Sequence, residues 1–252
     1  MAHTLKYVDT HCHLDLYENP NAVLKAAECS GTVTVAVTEL PSAFLRLVVR
    51  FGNKKSLRPA LGFHPLKATS SSPLEMALFG RLLDRCDFVG EIGLDGSRVG
   101  KGSLRTQIRI FEHLLEQPRI RSKILTVHSR GAEKQTIERL SQADVSAILH
   151  WYSGPLNALD VALDAGLWFS VNPAMLRSKN GRKIISRLPP DRVLTETDGP
   201  YTKISTSPSQ PCNIPDVIAE LAKHWNRSER ETQLQVWTNM SNLAAEANAR
   251  GT

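Results

Sequence analysis

No stretch of this 252-residue chain is apolar for the ~18 residues that a membrane-spanning helix needs, so no membrane association is expected. The opening residues MAHTLKYVDTH carry no apolar core of the kind that leads a secreted protein, and they run straight into a strand pattern, so no signal peptide is expected. Cysteine is scarce. Cys12, Cys29, Cys86 and Cys212 form no CxxC pair, and reduced thiols in a cytoplasmic protein are the expectation. The chain lacks low-complexity segments and an evident linker, which predicts one domain over residues 1–252. It also lacks a Gly-rich phosphate fingerprint after its first strand, where HCHLD stands instead.

Hydrophobic residues make up 41% and charged residues 22%, enough apolar material for a full core. The net charge of +6 favours an anionic partner, nucleic acid among them, though many basic proteins have none. Short apolar runs alternate with helical patterns from end to end. Strands are predicted at Lys6–Thr10, Thr32–Val37, Leu57–Gly62, Phe88–Gly93, Ile124–His128, Ser146–His150, Leu167–Val171 and Arg192–Thr195. Helices are predicted near Pro20–Cys29, Ser42–Phe51, Pro73–Leu83, Ser103–Glu116, Ala132–Leu140, Pro155–Ala165 and Lys179–Arg187, then Ile214–Trp225 and Glu229–Ala249. Ser228-Glu229-Arg230-Glu231 is a capping box for the last of these. Ser70–Pro73 reads as a loop and helix entry, and Ser205–Pro215 as a long loop. Eight strand–helix units in about 250 residues fit an α/β fold of the (β/α)8 TIM-barrel type, with a doubly wound open sheet as the alternative.

The strand ends carry the chemistry. Residues two apart on a strand share a face, so His11 and His13 project together, and Asp9 is placed to accept a ring N–H and set a tautomer. Five of the eight histidines fall at strand ends: His11, His13, His64, His128 and His150; His3, His113 and His224 do not. Glu91 and Asp198 join them. In a barrel these ends meet at one rim. Imidazoles and carboxylates together suit a divalent metal, Mg, Mn, Fe or Zn. Four histidines and two carboxylates exceed one open coordination shell, so two ions are expected. Glu91 is the natural bridge, with His11, His13 and Asp198 on one ion and His128 and His150 on the other. Asp198 is placed to act as general base, and His64, held extended by Pro65, to donate to a phosphoryl oxygen. Asp95 reads either as a supporting acceptor or as a helix-entry carboxylate. Glu196 either supports the site on the Asp198 face or pairs with an Arg. Arg130 is a phosphate anchor or a surface ion pair. Trp151 and Tyr152 can stack on a base or pack on the rim.

The segments Asp9–Asp15, Gly62–Pro65, Gly90–Asp95, Val127–Arg130, His150–Gly154 and Glu196–Tyr201, in that order, resemble the TatD-like metal-dependent DNases. The resemblance implies a barrel of the metal-dependent hydrolase superfamily, two divalent ions (Mg or Mn, with Zn as an alternative) and hydrolysis of DNA phosphodiesters. By position it implies metal ligation by His11, His13, Glu91, His128, His150 and Asp198, and phosphate contact by His64. Four places depart from that pattern: Gly96, Gly131, the Trp151-Tyr152 pair, and the Arg-free Gln210–Pro215 loop. Leu149–Gly154, Trp168–Leu176 and Val193–Pro200 are similar to the TatD-type nucleases of Qat anti-phage systems, which implies bacterial antiviral defence with other Qat proteins as partners. Arg98, Lys101, Arg177 and Lys179 follow strands four and seven and can track a nucleic-acid backbone, while Arg105, Arg109, Arg182 and Lys183 lie deeper in helices, on an outer face. Two other readings stand beside the nuclease: a small-molecule amidohydrolase or phosphoesterase on the same barrel, and a metal-bearing idle subunit of a complex.

Overall fold

Runs rich in Val, Ile, Leu and Thr become strands here because both faces of a parallel sheet are buried. The computed structural model describes residues 6–52, 54–68 and 72–251. Eight strands follow one another around a sheet in chain order: β1 (Tyr7–Cys12), β2 (Thr32–Ala36), β3 (Leu57–Leu61), β4 (Phe88–Gly93), β5 (Ile124–His128), β6 (Ser146–Leu149), β7 (Trp168–Val171) and β8 (Val193–Thr195). Each pairs in parallel with the next. The barrel expectation holds and the open-sheet alternative falls, because β1 and β8 lie side by side rather than at opposite edges.

Amphipathic helices wrap the sheet: α1 (Pro20–Ser30), α2 (Pro41–Phe51), α3 (Ser72–Leu82), α4 (Leu104–Leu115), α5 (Glu133–Ala143) and α6 (Leu156–Asp164). Phe44, Phe79 and Phe111 drive their rings fully into the core between helices and sheet. A short α7 (Pro173–Arg177) precedes α8 (Lys179–Arg187), and a two-residue hairpin, β9 (Lys203–Ile204) with β10 (Ser207–Pro208), interrupts the predicted long loop. Neither was expected, since such short elements show no periodicity. Ser70 and Ser71 of the predicted helix entry lie outside the described residues. The capping box is formed: the Ser228 hydroxyl accepts from the Glu231 amide and starts α10 (Glu229–Arg250).

The closing seam differs from the other joins. Among the described residues no strand ladder links β8 to β1. Instead the Thr10 hydroxyl donates to Thr195 O at 3.1 Å and the Thr195 hydroxyl to Val8 O at 2.5 Å. Beyond the strands, the Asp198 amide donates to His11 O at 2.8 Å and the His13 amide to Gly199 O at 2.9 Å. α9 (Ile214–Trp225) and α10 pack outside this seam against both strands. Asn239 of α10 donates to the carbonyls of Pro190 and Val193 at the entry to β8. The seam therefore depends on buried hydroxyls. Thr195→Val nearly conserves volume but removes a donor from a buried carbonyl, and we expect it to cost about 1–2 kcal/mol of unfolding free energy. Urea denaturation checks this, and an unchanged midpoint would show that the ladder-free seam needs no hydroxyl.

Candidate metal centre and cleft

The strand ends bring the predicted side chains into one pocket. β1 runs two residues further than expected, to Cys12, so His11 lies in the strand and His13 just past it. Their rings sit 5.2 Å apart, edge to face. Cys12 points away and is fully buried, as expected of a core residue. Glu91 lies in β4, and Gly93 two residues on has φ +130°. A side chain at Gly93 would press to 2.1 Å from His128 O, so only glycine lets β5 approach here and set His128 beside Glu91.

Glu91 is the hub. Its Oε2 lies 3.2 Å from His13 Nε2 and 3.5 Å from His11 Nε2. Its Oε1 lies 2.8 Å from both His128 Nδ1 and His150 Nε2, and 3.4 Å from His64 Nε2. Asp198 completes the first group, with Oδ1 3.6 Å from His13 Nε2 and 3.8 Å from His11 Nε2. One carboxylate thus turns each oxygen toward a separate set of imidazoles.

Three atoms of the first group are buried with no hydrogen-bond partner, His11 Nε2, His13 Nδ1 and Asp198 Oδ1, and the first and last of these stand 3.8 Å apart. A nitrogen and a carboxylate oxygen facing each other without a shared proton form the donor set of a divalent cation. His11, His13 and Asp198 stand close enough to hold one ion together, and Glu91 with His128 forms part of a second cluster. His64 falls in that second cluster by distance, but its chemistry excludes it as a ligand. Its Nδ1 accepts the Leu66 amide at 3.1 Å, which an amide N–H can only donate. The ring proton therefore sits on Nε2, leaving no lone pair there for a metal and a donor aimed into the cleft.

Electrostatics follow from burial. Burial pushes the Asp198 carboxyl up to about 7, against the pull of His150 and His13. Burial likewise pushes Asp9 up to about 8, despite its hydrogen bonds from Thr197. Glu91 is buried too, yet the ring of imidazoles around it, by charge and by the contacts of His11 and His128 with its oxygens, holds it well below the usual carboxylate range. Burial pushes His11 well down, helped by His150, which stacks on it with centroids 3.8 Å apart. For His150, His13 and His128 burial is outweighed by nearby carboxylates, and all three are raised.

The supporting residues divide. Asp95 Oδ2 accepts from His128 Nε2 at 2.9 Å, so it orients that ring rather than merely opening a helix. Against its burial, that bond and Ser97 hold Asp95 at about 2. Asp9 departs from expectation: it takes no ring N–H. Its oxygens are filled by the Thr197 amide and hydroxyl, at 2.9 and 2.6 Å, and by the His11 amide. The His11 ring is held instead by Thr126, whose hydroxyl is 2.6 Å from Nδ1. Glu196 pairs with no Arg among the described residues; it supports the site, with Oε2 3.8 Å from Nδ1 of His150, which it helps to raise, though it reaches the site beside His150 rather than beside Asp198. β8 stops at Thr195 and Asp198 turns out with φ +48°. Glu196 accepts from the Trp151 amide, Ser170 and Asn172, binding the ends of β6, β7 and β8 together.

The cleft over these groups measures about 670 Å³ and is lined by Arg130 and Trp151 among others. Arg130 is exposed and makes no ion pair among the described residues, so the surface-bridge alternative falls. Tyr152 cannot touch a substrate. Trp151, at φ +39°, turns the chain so that Tyr152 enters the barrel wall, 1% exposed, with its hydroxyl on Pro155 O and its ring edge-on to Phe169. The sequence reading also missed lining residues. Glu39 follows β2, where no functional group was sought; its carboxylate pairs with Lys67 at 3.0 Å and takes the Tyr201 hydroxyl at 3.4 Å. Tyr201 stands edge-on to His13, centroids 5.0 Å apart. Thr126 was detectable, two residues before His128 on the same strand face. No described helix is long and apolar enough to cross a membrane.

Comparison with known proteins bears on this geometry. A family model described as "TatD related DNase" matches residues 8–244. The human deoxyribonuclease TATDN3 is 30% identical over 216 residues, covering 77% of this chain and 77% of that one. A metal-dependent hydrolase of Methanocaldococcus jannaschii, MJ1582, is 26% identical over 227 residues, covering 87% and 89%. The crystal structure of the Escherichia coli TatD homolog YjjV superposes with a TM-score of 0.85 at 24% identity, covering 95% of this chain and 98% of that one, and shares its fold.

Raised groups bind protons more tightly folded than unfolded, so the stability they confer fades as pH climbs through their folded values. Asp198 and Asp9, raised from the usual 3.8 to about 7 and about 8, and the raised His13, His128 and His150 all act in that sense, and the metal-stripped protein should lose stability as pH climbs toward about 8. A divalent cation replaces those protons, so we expect Mn to raise Tm more at pH 8 than at pH 6. Equal increments in calorimetry at the two pH values would show that the cation does not bind among these groups.

Proposed function

This chain belongs to the TatD-related DNases, a family of metal-dependent hydrolases, and from that premise we propose that it hydrolyses DNA phosphodiesters at the Glu91 centre. The observation that carries this reading is the division of Glu91: Oε2 toward His11 and His13, with Asp198 beside them, and Oε1 toward His128 and His150. In this reading His11, His13 and Asp198 would hold one divalent ion and His128 and His150 the other, with Glu91 shared. When bound, such a pair activates water and neutralises phosphoryl charge.

The chain's own groups do the rest. Asp198 accepts the proton of the attacking water, a role suited to a buried carboxylate whose proton affinity is raised toward neutrality. Asp95 holds the His128 ring so that Nδ1 faces Glu91. The His64 Nε2–H donates to a non-bridging oxygen of the scissile phosphate, its tautomer set by Leu66. Arg130 supplies a cation at the cleft wall, and Trp151 an indole beside His150 for an adjacent base. Thr197, held by Asp9, anchors the turn that carries Asp198. We also propose, on the similarity of Leu149–Gly154, Trp168–Leu176 and Val193–Pro200, a cytoplasmic role in anti-phage defence beside other Qat proteins.

Labelled DNA and RNA with Mg or Mn, beside a panel of amides and lactones, tests the reaction class. We expect metal-dependent cleavage of DNA, reduced at least about a hundredfold by Asp198→Asn with the fold retained. His64→Gln should lower kcat on DNA without changing metal content. Equal cleavage by wild type and Asp198→Asn would remove Asp198 as the base, and turnover confined to the amide panel would replace the nuclease reading with an amidohydrolase.

A further inference from the structure

Besides the histidines, two cationic side chains line the described cleft, Arg130 and Lys67. Lys67 ends the short 3-10 turn Pro65–Lys67, which His64 caps. The Lys67 amide donates to His64 O at 2.9 Å and closes that turn. His64 itself is extended, at φ −60° and ψ 135°, and caps the turn from outside it. Lys67 stands three residues on from His64, and both side chains line the cleft.

The ammonium is not left to roam. Glu39 holds it at 3.0 Å through one oxygen and takes the Tyr201 hydroxyl through the other. The Glu39 carbonyl also accepts the His64 amide at 2.9 Å, so the loops after β2, β3 and β8 meet at this point. A lone carboxylate on the wall of a phosphodiester cleft repels the substrate. Paired with Lys67 it instead keeps a flexible cation ordered over the cleft and tempers its charge.

We propose that Lys67 binds the phosphate next to the scissile one, with Glu39 as its positioning residue, so that the enzyme selects substrates carrying at least two consecutive phosphodiesters. This rests on the nuclease reading above. His64 faces the scissile group, and Lys67, at the far end of the turn that His64 caps and on the same cleft, faces the next anionic group along the strand. Arg130 alone cannot serve both, since it rises from β5 rather than from the His64 turn.

Thymidylyl-thymidine, with one phosphodiester, and its trinucleotide homologue, with two, separate the roles in the Mn-loaded enzyme. Lys67→Ala should lower kcat/KM on the trinucleotide, through KM, at least about tenfold more than on the dinucleotide, as expected for a charge-assisted contact. Lys67→Arg should restore most of the difference. Glu39→Gln should raise KM on the trinucleotide severalfold and leave the dinucleotide unchanged, because Lys67 loses the partner that positions it. Equal losses on both substrates with a lower Tm would mark the pair as structural and overturn the proposal, and so would an unchanged or lower KM for Glu39→Gln on the trinucleotide, which would remove Glu39 as the positioning residue.

Binding of a fluorescein-labelled five-thymidine strand in Ca gives a readout free of turnover. Lys67→Ala should reduce the slope of log Kd against log salt by about 0.7, one phosphate contact on a single strand. A wild type that binds the strand but cuts neither substrate would sink the nuclease reading and leave the Lys67 contact standing if the slope changes. Identical slopes, or no binding at all, would overturn the Lys67 contact.

Discussion

A carboxylate in the middle of a barrel is the constraint that orders everything around it. Glu91 is 2% exposed, and an isolated ion that deep would cost several kcal/mol or more. It stays ionised because His11, His13, His64, His128 and His150 converge on its two oxygens from four other strand ends. The arrangement is mutual. The imidazoles are themselves buried, and burial alone would strip them of charge; the carboxylates keep three of them raised. A cluster that needs either protons or cations to balance it is poised to exchange one for the other. That is how a fold builds affinity for metal out of its own electrostatic debt.

Around that cluster lies a shell of uncharged donors that holds the rings and carboxylates in place. Thr126 fixes His11, the Leu66 amide fixes His64, and Ser170 with Asn172 satisfies Glu196. The first links β1 to β5, strands far apart in sequence; the others act within one loop or between neighbouring strand ends. Buried polar networks of this kind specify geometry when every member is satisfied. Among the atoms left without a partner are His11 Nε2 and Asp198 Oδ1, 3.8 Å apart at the centre.

The ligand candidates were legible because chemistry in this architecture sits where strands end, and a histidine or acid at a strand end can be read from alternation alone. The strand bounds came within two residues for the same reason. Partnerships were less legible. Asp9 lies two residues from His11 and shares its face, yet its oxygens are claimed by Thr197, 188 positions away. Tyr152 follows a ligand directly, but a left-handed backbone at Trp151 sends it into the wall. Glu39, Lys67 and Tyr201 come from loops whose paths no periodicity describes. Short-range pattern reports which way a side chain faces; it does not report what it meets.

The seam between the first and last strands has one further consequence. His11 and Asp198 flank it, so the centre draws on both ends of the barrel's chain. During synthesis the growing polypeptide carries nearly all its histidines long before residue 198 leaves the ribosome. A nascent chain lacking β8 and the turn beyond it has an open gap where Asp198 belongs and no Thr195 or Thr197 to draw the edge of β1 into place. A chain that ends before Asp198 therefore lacks one member of the candidate metal centre together with the threonines that tie β1 to the far side of the seam.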